Sequence, residues 1–247
     1  MGARTYRTVL IGAGNVATRL ACALRQAGHE VIAVGGRTRV QPISADADIY
    51  IIAVSDRSIA QVAGELGRVG GLVVHTAGSV GMDVLPQERR GVLYPLQTLS
   101  RARQIDFSQV PLFIESDSDL PLLHEVASSL SCSVHVLDSE RRRRIHLAAV
   151  FCSNFTNAMY SMAHRLLQAE GIPFSVLLPL ITETAAKVRD LVPHEAQTGP
   201  AVRWDTEVMA AQKTLLPDDE MRQVYSLLSN YIHNDKLRFK EDKGTAL

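Results

Sequence analysis

Short apolar segments recur along the first half of the chain, each bounded by residues that are typical of turns. Seven of them lie between Thr8 and Leu137, and they read TVLI, EVIAVG, IYIIAV, GLVVH, GVLYPL, PLFIE and CSVHVL. They are rich in valine and isoleucine and too short for helices, which predicts β-strands. Because their apolar residues are nearly continuous, both faces should be buried, as in a parallel sheet covered by helices.

A helical pattern separates the first two predicted strands. Val16, Leu20, Leu24 and Ala27 recur along one helix face, and Gly28 follows as a helix terminator. This strand–helix–strand order predicts an α/β domain of the Rossmann type, with a mostly parallel, doubly wound sheet. We place this domain at residues 1–138.

The pattern becomes helical after Asp138. Residues 139–171 contain no proline and have glycine only at the end, which predicts one long helix with Asp138 or Ser139 as its N-cap. The further predicted helices are Phe174–Val192, Thr206–Leu215 and Asp218–His233. We therefore expect an all-α domain at residues 139–234 for substrate binding and dimerisation, and a charged, mobile tail at residues 235–247.

Composition narrows the possible partners. Of the 247 residues 46% are hydrophobic, which is ample for a buried core, and 26 basic residues balance 26 acidic ones. A nucleic-acid partner is not expected without a basic excess. No apolar run is long enough for a membrane span, and the N-terminus lacks signal-peptide features. The three cysteines are widely spaced, which predicts reduced thiols, a cytoplasmic location and no metal site.

The segment GAGNVA, from Gly12 to Ala17, fits the dinucleotide-binding pattern G-x-G-x-x-A. It follows a predicted strand and opens a predicted helix, which is the context that gives this pattern meaning. Gly12 permits the tight turn, Gly14 lets the backbone approach a pyrophosphate, and Ala17 allows close packing of helix and sheet. The alternative is a plain strand-to-helix turn.

The end of the second predicted strand indicates which dinucleotide binds. An NAD site would place an acid there for the ribose 2′-hydroxyl, but the chain has none between Val31 and Asp46. Arg37, Thr38 and Arg39 suit a 2′-phosphate instead, so NADP is the predicted cofactor. A solvated basic turn is the alternative. The predicted cofactor-binding residues are Gly12, Gly14, Asn15, Val16, Arg37, Thr38, Val54, Ser55, Thr76 and Gly78.

Several longer strings resemble one family. They are IGAGNVA, HTAGS, GVLYPLQTLS, PLFIES, HLAAVFCSNFTNAMY, PLITETAAKV and EAQTGPAVRWD. They are similar to a Rossmann-like family whose C-terminal half is a domain of unknown function. Its members are often labelled NADP oxidoreductases, after distant kin such as pyrroline-5-carboxylate reductase and deazaflavin-dependent NADP reductase. The resemblance implies an NADP-type Rossmann domain and a dimerising helical domain like that of 6-phosphogluconate dehydrogenase, but no substrate.

Three residues depart from that family pattern. Ala77 stands where serine is expected, Trp204 replaces a small residue, and Gln212 falls where histidine is common. Related hydroxyacid dehydrogenases use a lysine on the first helix of the second domain, whereas the first lysine of this chain is Lys187. These departures weaken any transfer of catalytic roles.

Histidines are the remaining acid–base candidates. His146 lies on the long helix, and helical spacing places Ser153 and Asn157 on its side and Asn154 about 80° away. We predict His146 as general acid, because histidine titrates near neutral pH, with Asn154 orienting a carbonyl or carboxamide. The alternative is a hydrogen-bonded helix face at a dimer interface. His75 is the second acid–base candidate, and its alternative is a capped strand end.

Two further stretches carry charge. Arg141–Arg144 reads as a solvated helix face, or alternatively as a contact for an anionic substrate, the cofactor phosphates or an acidic partner. Glu195–Asp205 contains glycine and proline, which predicts a loop. We expect this loop to close the cleft opposite the nicotinamide, with Gln197, Thr198 and Arg203 facing the substrate. The alternative is a loop that locks two subunits together.

Three functions are compatible with the sequence. The first is an NADPH-dependent reductase of a small compound with a C=O or C=N bond. The second is a non-catalytic NADP(H)-binding dimer that acts as a sensor or scaffold. A third reading is a helical assembly protein with a vestigial Rossmann half.

Overall fold

The computed structural model describes residues 4–35 and 46–244, with side chains as far as Phe239. Contacts between residues divide the chain into two compact units, Met1–Asn154 and Phe155–Leu247. We refer to them as the first unit and the second unit. No helix in the described ranges has the length and apolar character needed to span a membrane.

The first unit is built on a sheet of seven strands among the described residues. They are β1 (Arg7–Ile11), β2 (Glu30–Val34), β3 (Ile49–Ile52), β4 (Leu72–His75), β5 (Arg90–Pro95), β6 (Leu112–Ser116) and β7 (Val134–Val136). Each predicted segment overlaps one of them, and the bounds differ by one or two residues at most. Their order across the sheet is β2-β1-β3-β4-β5-β6-β7. All neighbours are parallel except β5 and β6, which confirms the predicted α/β class with a mostly parallel sheet.

The single antiparallel pair has a local cause. A parallel connection needs a crossover, usually a helix, to carry the chain back to the starting edge of the sheet. Between β5 and β6 the chain forms only the short 3₁₀ turn Phe107–Gln109. The backbone N–H of Leu96 donates to the Pro111 carbonyl at 2.9 Å, so the chain returns directly beside β5.

Helices cover both faces of the sheet. The helices of the first unit are α1 (Asn15–Gln26), α2 (Ile59–Leu66), α3 (Leu120–Leu130) and α4 (Ser139–Ala149). Side chains along β1 alternate between two apolar cores. Leu10 packs in the core of Leu20 and Leu24 on α1, whereas Val9 packs in the core of Ile59 on α2. The strands are therefore buried on both faces, as their continuous apolar runs predict.

The predicted ends of α1 and α4 are confirmed. Gly28 has a φ of 88°, in the region that favours glycine, and its N–H donates to the Arg25 carbonyl at 3.0 Å just after α1. Asp138 is the N-cap of α4, because its carboxylate accepts from the Arg141 N–H at 2.8 Å.

The long helix predicted from Ser139 is interrupted by a change of winding. A π-helical segment, Val150–Phe155, separates α4 from α5 (Thr156–Ala169). The first unit extends through most of this segment to Asn154, beyond the predicted domain boundary at Asp138. Ser139 and Arg142 tie the start of α4 to the sheet, because both bond to the Glu115 carboxylate on β6.

The second unit is helical, as predicted, but two details of the prediction are wrong. Its remaining helices are α6 (Leu178–Asp190), α7 (Pro193–Ala196), α8 (Pro200–Arg203), α9 (Thr206–Thr214) and α10 (Asp219–Gly244). The predicted loop Glu195–Asp205 contains the single-turn helix α8, because Pro200 suits a first helical turn. Residues 235–244, which are predicted as part of a charged tail, instead continue α10.

Trp204 follows α8 in an unusual conformation. Its φ of 56° makes it the one non-glycine residue with positive φ in the described ranges. Its ring lies 4.3 Å from the ring of His233 on α10, measured between centroids. Asp205 then caps α9 by accepting from the Val208 N–H at 3.2 Å.

Candidate functional site

A crevice of about 960 Å³ opens at the carboxyl ends of β1, β3 and β4. β1 pairs with β2 on one side and β3 on the other, so the chain reverses its direction across the sheet at this point. Open α/β sheets bind ligands at such a switch point. The predicted cofactor-binding residues that line the crevice are Gly12, Gly14, Asn15, Val16, Val54, Ser55 and Thr76.

The two glycines of the turn at the end of β1, Gly12 and Gly14, are required for different reasons. Gly12 has a φ of 142°, and a Cβ there would lie 2.1 Å from the Ala53 carbonyl oxygen, so no side chain fits. A Cβ on Gly14 would meet no atom within 4 Å. The space beside Gly14 is thus open to the crevice, which is what close approach of a dinucleotide backbone requires.

The electrostatics of this turn suit an anion. Helix α1 begins at Asn15, directly after Gly14, and its first turn carries no acidic residue. The unpaired N–H groups and partial positive charge of a helix N-terminus stabilise a phosphate placed there. The residues present therefore fit the pyrophosphate of a dinucleotide. Arg37 and Thr38, which are predicted to hold a 2′-phosphate, lie outside the described residues, and their role stays a prediction.

Two aromatic side chains meet where β5 approaches α4. The hydroxyl of buried Tyr94 lies 2.9 Å from Nδ1 of His146. Their rings make an edge contact with centroids 5.7 Å apart. Burial raises the pKa of Tyr94, an effect that the positive charge of Arg142 opposes. The phenol therefore stays protonated at neutral pH, and its hydroxyl can donate to Nδ1 of the imidazole or accept from a proton on Nδ1.

Gly78 makes room for this pair. A Cβ on Gly78 would lie 2.6 Å from Nδ1 of His146 and 2.7 Å from Cζ of Tyr94. Gly78 follows closely on Thr76 and Ala77, which line the crevice. The structure thus gives Gly78 a packing contact with the Tyr94–His146 pair, beside its predicted contact with a cofactor.

His75 is fully buried at the end of β4. Its Nδ1 lies 3.2 Å from the Ala77 N–H and its Nε2 lies 3.2 Å from the Gly81 carbonyl oxygen. The first contact needs an acceptor and the second a donor, so the neutral ring with a proton on Nε2 satisfies both. Burial, aided by the charge of Arg142, lowers the pKa of His75 to about 4. These contacts favour the capped-strand alternative for His75 over a general acid.

Asp56, after β3, contributes a carboxylate to the crevice. It accepts a hydrogen bond from the Ser79 hydroxyl, which follows β4. The hydroxyls of Ser55 and Ser58 lie 2.8 Å apart. Neither serine makes a side-chain capping bond at the helical turns that follow. Ser55, Asp56 and Ser58 all line the crevice.

The arginine run on α4 is not uniformly solvated. Arg142 is fully buried, forms an ion pair with Glu115, and donates to the Val80 carbonyl at 2.5 Å. Arg141, Arg143 and Arg144 are exposed, as predicted for a solvated face. The spacing of residues along α4 indicates why Arg142 alone is buried. It lies four residues before His146 and therefore on the same face of the helix.

Asn154 lies in the π-helical segment and is exposed. A π segment bonds i to i+5 and winds less per residue than an α-helix. The positions of Ser153 and Asn154 around the helix axis relative to His146 therefore depart from those that α-helical spacing predicts. Such segments are frequent at functional sites. The orienting role of Asn154 stays a prediction.

The predicted substrate residues Gln197, Thr198 and Arg203 lie in the second unit. The Gln197 side-chain amide donates to the Thr198 carbonyl at 3.1 Å. Gln197 also lines a cavity of about 470 Å³ together with the stacked rings of His194 and Phe239. The Asp205 carboxylate, two residues after Arg203, accepts from the Val208 N–H and so serves as the N-cap of α9. The substrate role of these residues stays a prediction.

Sequence reasoning missed one contact at the glycine turn. After β5, the chain brings Arg101 back to α1, where its guanidinium donates to the carbonyl of Ala13. Only the position of Arg101 after the end of a parallel strand could have signalled this contact, because such loops gather at the ligand-binding edge.

The strand order, the switch point and the glycine turn together define a Rossmann-like α/β protein. A domain of unknown function, DUF2520, matches residues 110–232. The crystal structure of "putative NADP oxidoreductase BF3122" from Bacteroides fragilis is 42% identical, with a TM-score of 0.85 over 93% of this chain and 98% of that one. The chain therefore belongs to the same family as the Bacteroides fragilis protein, the Rossmann-like family with a DUF2520 domain.

Two more distant structures share the fold. Protein TM1727 from Thermotoga maritima is 19% identical, with a TM-score of 0.72 over 94% of this chain and 99% of that one. A reductive aminase from Aspergillus terreus, in complex with NADPH and ethyl levulinate, is 14% identical, with a TM-score of 0.69 over 94% and 95%. None of the curated proteins compared with the chain is similar to it.

Proposed function

We propose that this protein is an NADP(H)-dependent oxidoreductase that reduces a small compound with a C=O or C=N bond. The observation that carries the proposal is the crevice, whose glycine turn is open at Gly14, together with the Tyr94–His146 pair, which packs against Gly78 two residues after Thr76 of the crevice lining. A dinucleotide site and a proton-holding pair thus belong to the same unit. The 42% identity to an NADP oxidoreductase family member supports the cofactor class.

The chain's own residues would divide the work as follows. Gly14 and the N-terminus of α1 bind the pyrophosphate, and bound NADPH supplies the hydride. His146 holds the proton that the oxygen or nitrogen of the reduced bond receives, because a histidine exchanges protons near neutral pH. Tyr94 orients the imidazole through its 2.9 Å contact with Nδ1. Gly78 leaves the space that this contact requires.

The test is NADPH binding by calorimetry, followed by NADPH oxidation with a panel of 2-keto acids, imines and a deazaflavin. We expect binding, and turnover with at least one carbonyl or imine compound. Turnover should fall about 100-fold or more in His146→Ala, within the range of general acid catalysis. Tyr94→Phe should shift the pH profile of kcat. Binding without turnover would favour the non-catalytic sensor or scaffold, and absence of binding would refute both.

Cofactor preference is a separate part of the proposal. We expect NADPH to bind more tightly than NADH, because Arg37 and Thr38 stand where an NAD site would place an acid. Arg37→Ala should remove roughly 1.5–3 kcal/mol from NADPH binding and leave NADH binding unchanged. Equal affinities of the wild-type protein for the two nucleotides would contradict the preference.

Assembly and location complete the proposal. We propose a homodimer formed mainly through the second unit, because that unit leaves many large apolar side chains exposed. We also propose a cytoplasmic location, since all three cysteines are free thiols. Light scattering at micromolar concentration tests the first, and localisation of a tagged protein tests the second.

A further inference from the structure

The segment after β5 is held against the start of α1 by two arginines. The Arg19 side chain on α1 donates to the carbonyls of Ser100, at 2.8 Å, and Arg101, at 2.6 Å. Arg101 in turn donates to the carbonyl of Ala13, the middle residue of the glycine turn. Leu99, two residues before Arg101, lines the crevice. This segment is therefore anchored at the mouth of the dinucleotide crevice by its backbone.

The anchoring brings a permanent positive charge to the glycine turn. Arginine remains protonated at all accessible pH values, and its guanidinium forms charge-assisted, often bidentate bonds with phosphate. In this structure Arg101 is exposed and bonds to a neutral carbonyl. A phosphate at the N-terminus of α1 would offer a stronger acceptor beside Ala13, within the reach of the same side chain.

We propose that Arg101 is a binding residue for the cofactor pyrophosphate, which it would hold at the glycine turn beside Ala13. The inference rests on the proposed dinucleotide function and adds a residue to it. Arg101 acts on the pyrophosphate that NADPH and NADH share. Its contribution is therefore independent of the 2′-phosphate, which Arg37 is proposed to recognise.

The test compares nucleotides that share or lack the pyrophosphate. Calorimetry would measure NADPH, NADH and adenosine 2′-monophosphate with the wild type and Arg101→Ala. We expect Arg101→Ala to weaken NADPH and NADH by the same factor, roughly tenfold or more, which corresponds to about 1.4 kcal/mol or more. Its affinity for adenosine 2′-monophosphate, which has no pyrophosphate, should stay at the wild-type value.

A matched control lies in the same segment. Arg103 is also exposed, and among the described residues it makes no hydrogen bond to the glycine turn. Arg103→Ala removes the same charge two residues away and should leave all three affinities unchanged. Arg101→Lys keeps the charge without the planar fork, so it should retain part of the binding. Thermal melting without nucleotide checks that each variant is folded.

The outcomes separate the two proposals. Equal loss of NADPH and NADH binding in Arg101→Ala, but not in Arg103→Ala, supports the binding role of Arg101. Unchanged binding in Arg101→Ala overturns it while leaving the proposed function intact. A loss restricted to NADPH and adenosine 2′-monophosphate also overturns it, because the contact would then be to the 2′-phosphate. A wild-type protein that binds neither dinucleotide refutes the proposed function and the role of Arg101 with it.

Discussion

The two compact units differ sharply in how they bury apolar side chains. Of 37 buried apolar residues in the described part of the chain, 34 lie in the first unit, and the second unit contributes only Ala201, Leu216 and Met221. The second unit instead exposes large apolar groups, including Leu227 by 70% and Tyr231 by 60%. The sheet of the first unit, covered by helices on both faces, has a complete apolar core of its own. The helices of the second unit do not bury enough apolar side chains to form one.

The contrast teaches where each unit obtains its stability. In the first unit, burying one Leu or Ile side chain contributes about 1.5–3 kcal/mol, and many such residues surround the sheet. In the second unit the equivalent surface remains exposed to water. Its stability must therefore come from another surface, for which we propose a second copy of the chain.

Gly12→Ala should destabilise the first unit most strongly. The substitution forces an alanine into a φ of 142° and places a Cβ 2.1 Å from the Ala53 carbonyl oxygen. Strain and overpacking together should cost about 3–5 kcal/mol of unfolding free energy. Gly14→Ala is the control, because its Cβ meets no atom within 4 Å and should cost less than about 1 kcal/mol. Similar losses in urea denaturation of the two variants would contradict the difference between these glycines.

Leu227→Lys should weaken assembly through the second unit. Each protomer of the homodimer loses one apolar side chain, so at roughly 2 kcal/mol per side chain the loss should be about 4 kcal/mol, which raises the dissociation constant of the dimer roughly 1,000-fold. Val136→Lys, at a valine of the first unit that is 54% exposed, serves as control and should leave assembly unchanged. Analytical ultracentrifugation measures both. A wild-type monomer at micromolar concentration would remove the basis of this prediction.

His75 should make the first unit sensitive to acid. Its pKa is about 4 when folded, because of burial, against about 6.5 for an ordinary histidine. The unfolded chain therefore takes up the proton first, so stability is lost as the pH falls from 6.5 toward 4. The loss attributable to His75 should reach about 2 kcal/mol at pH 5, at 1.36 kcal/mol per pKa unit.

The comparison for this effect is His75→Gln, which does not titrate and can still donate to the Gly81 carbonyl. Urea denaturation of both proteins at pH 7.5 and 5.0 isolates the histidine contribution from that of the carboxylates. If the wild type and the variant lose the same stability between these pH values, then His75 is not buried in its neutral form.

Two helix caps provide the smallest and most closely matched test. Asp138 caps α4 in the first unit, and Asp205 caps α9 in the second. Each substitution to alanine should cost about 1 kcal/mol. Only the Asp205→Ala protein should recover stability as its concentration rises, because dimerisation stabilises the second unit by mass action. Equal behaviour of both variants on dilution would show that the units do not differ in this respect.

The strands could be predicted from the sequence because their signal is local. Buried strands must be apolar, short and bounded by turn residues, and all seven segments satisfy those conditions. The glycine turn was equally readable, since Gly12 needs a conformation and a close approach that only glycine allows. The predicted cofactor-binding residues that line the crevice follow from these two signals, together with the rule that open parallel sheets bind ligands at the carboxyl ends of their strands.

The rest depends on contacts between residues distant in the sequence. Arg142 is buried because Glu115, 27 residues away, accepts its charge, and nothing in the arginine run itself marks that partner. Tyr94 and His146 meet across 52 residues, and Arg101 reaches Ala13 across 88. The π-helical winding of Val150–Phe155 also changes which side chains share a face, although local spacing predicts an α-helix there.

Trp204 offers a spectroscopic consequence of the division into two units. It is the single tryptophan of the chain, and it lies in the second unit with its ring against that of His233. Its fluorescence emission therefore reports on the second unit alone, whereas far-ultraviolet circular dichroism records the helices and strands of both. A red shift of the emission on dilution, with the circular dichroism of the sheet retained, would be the optical signature of a second unit that opens by itself.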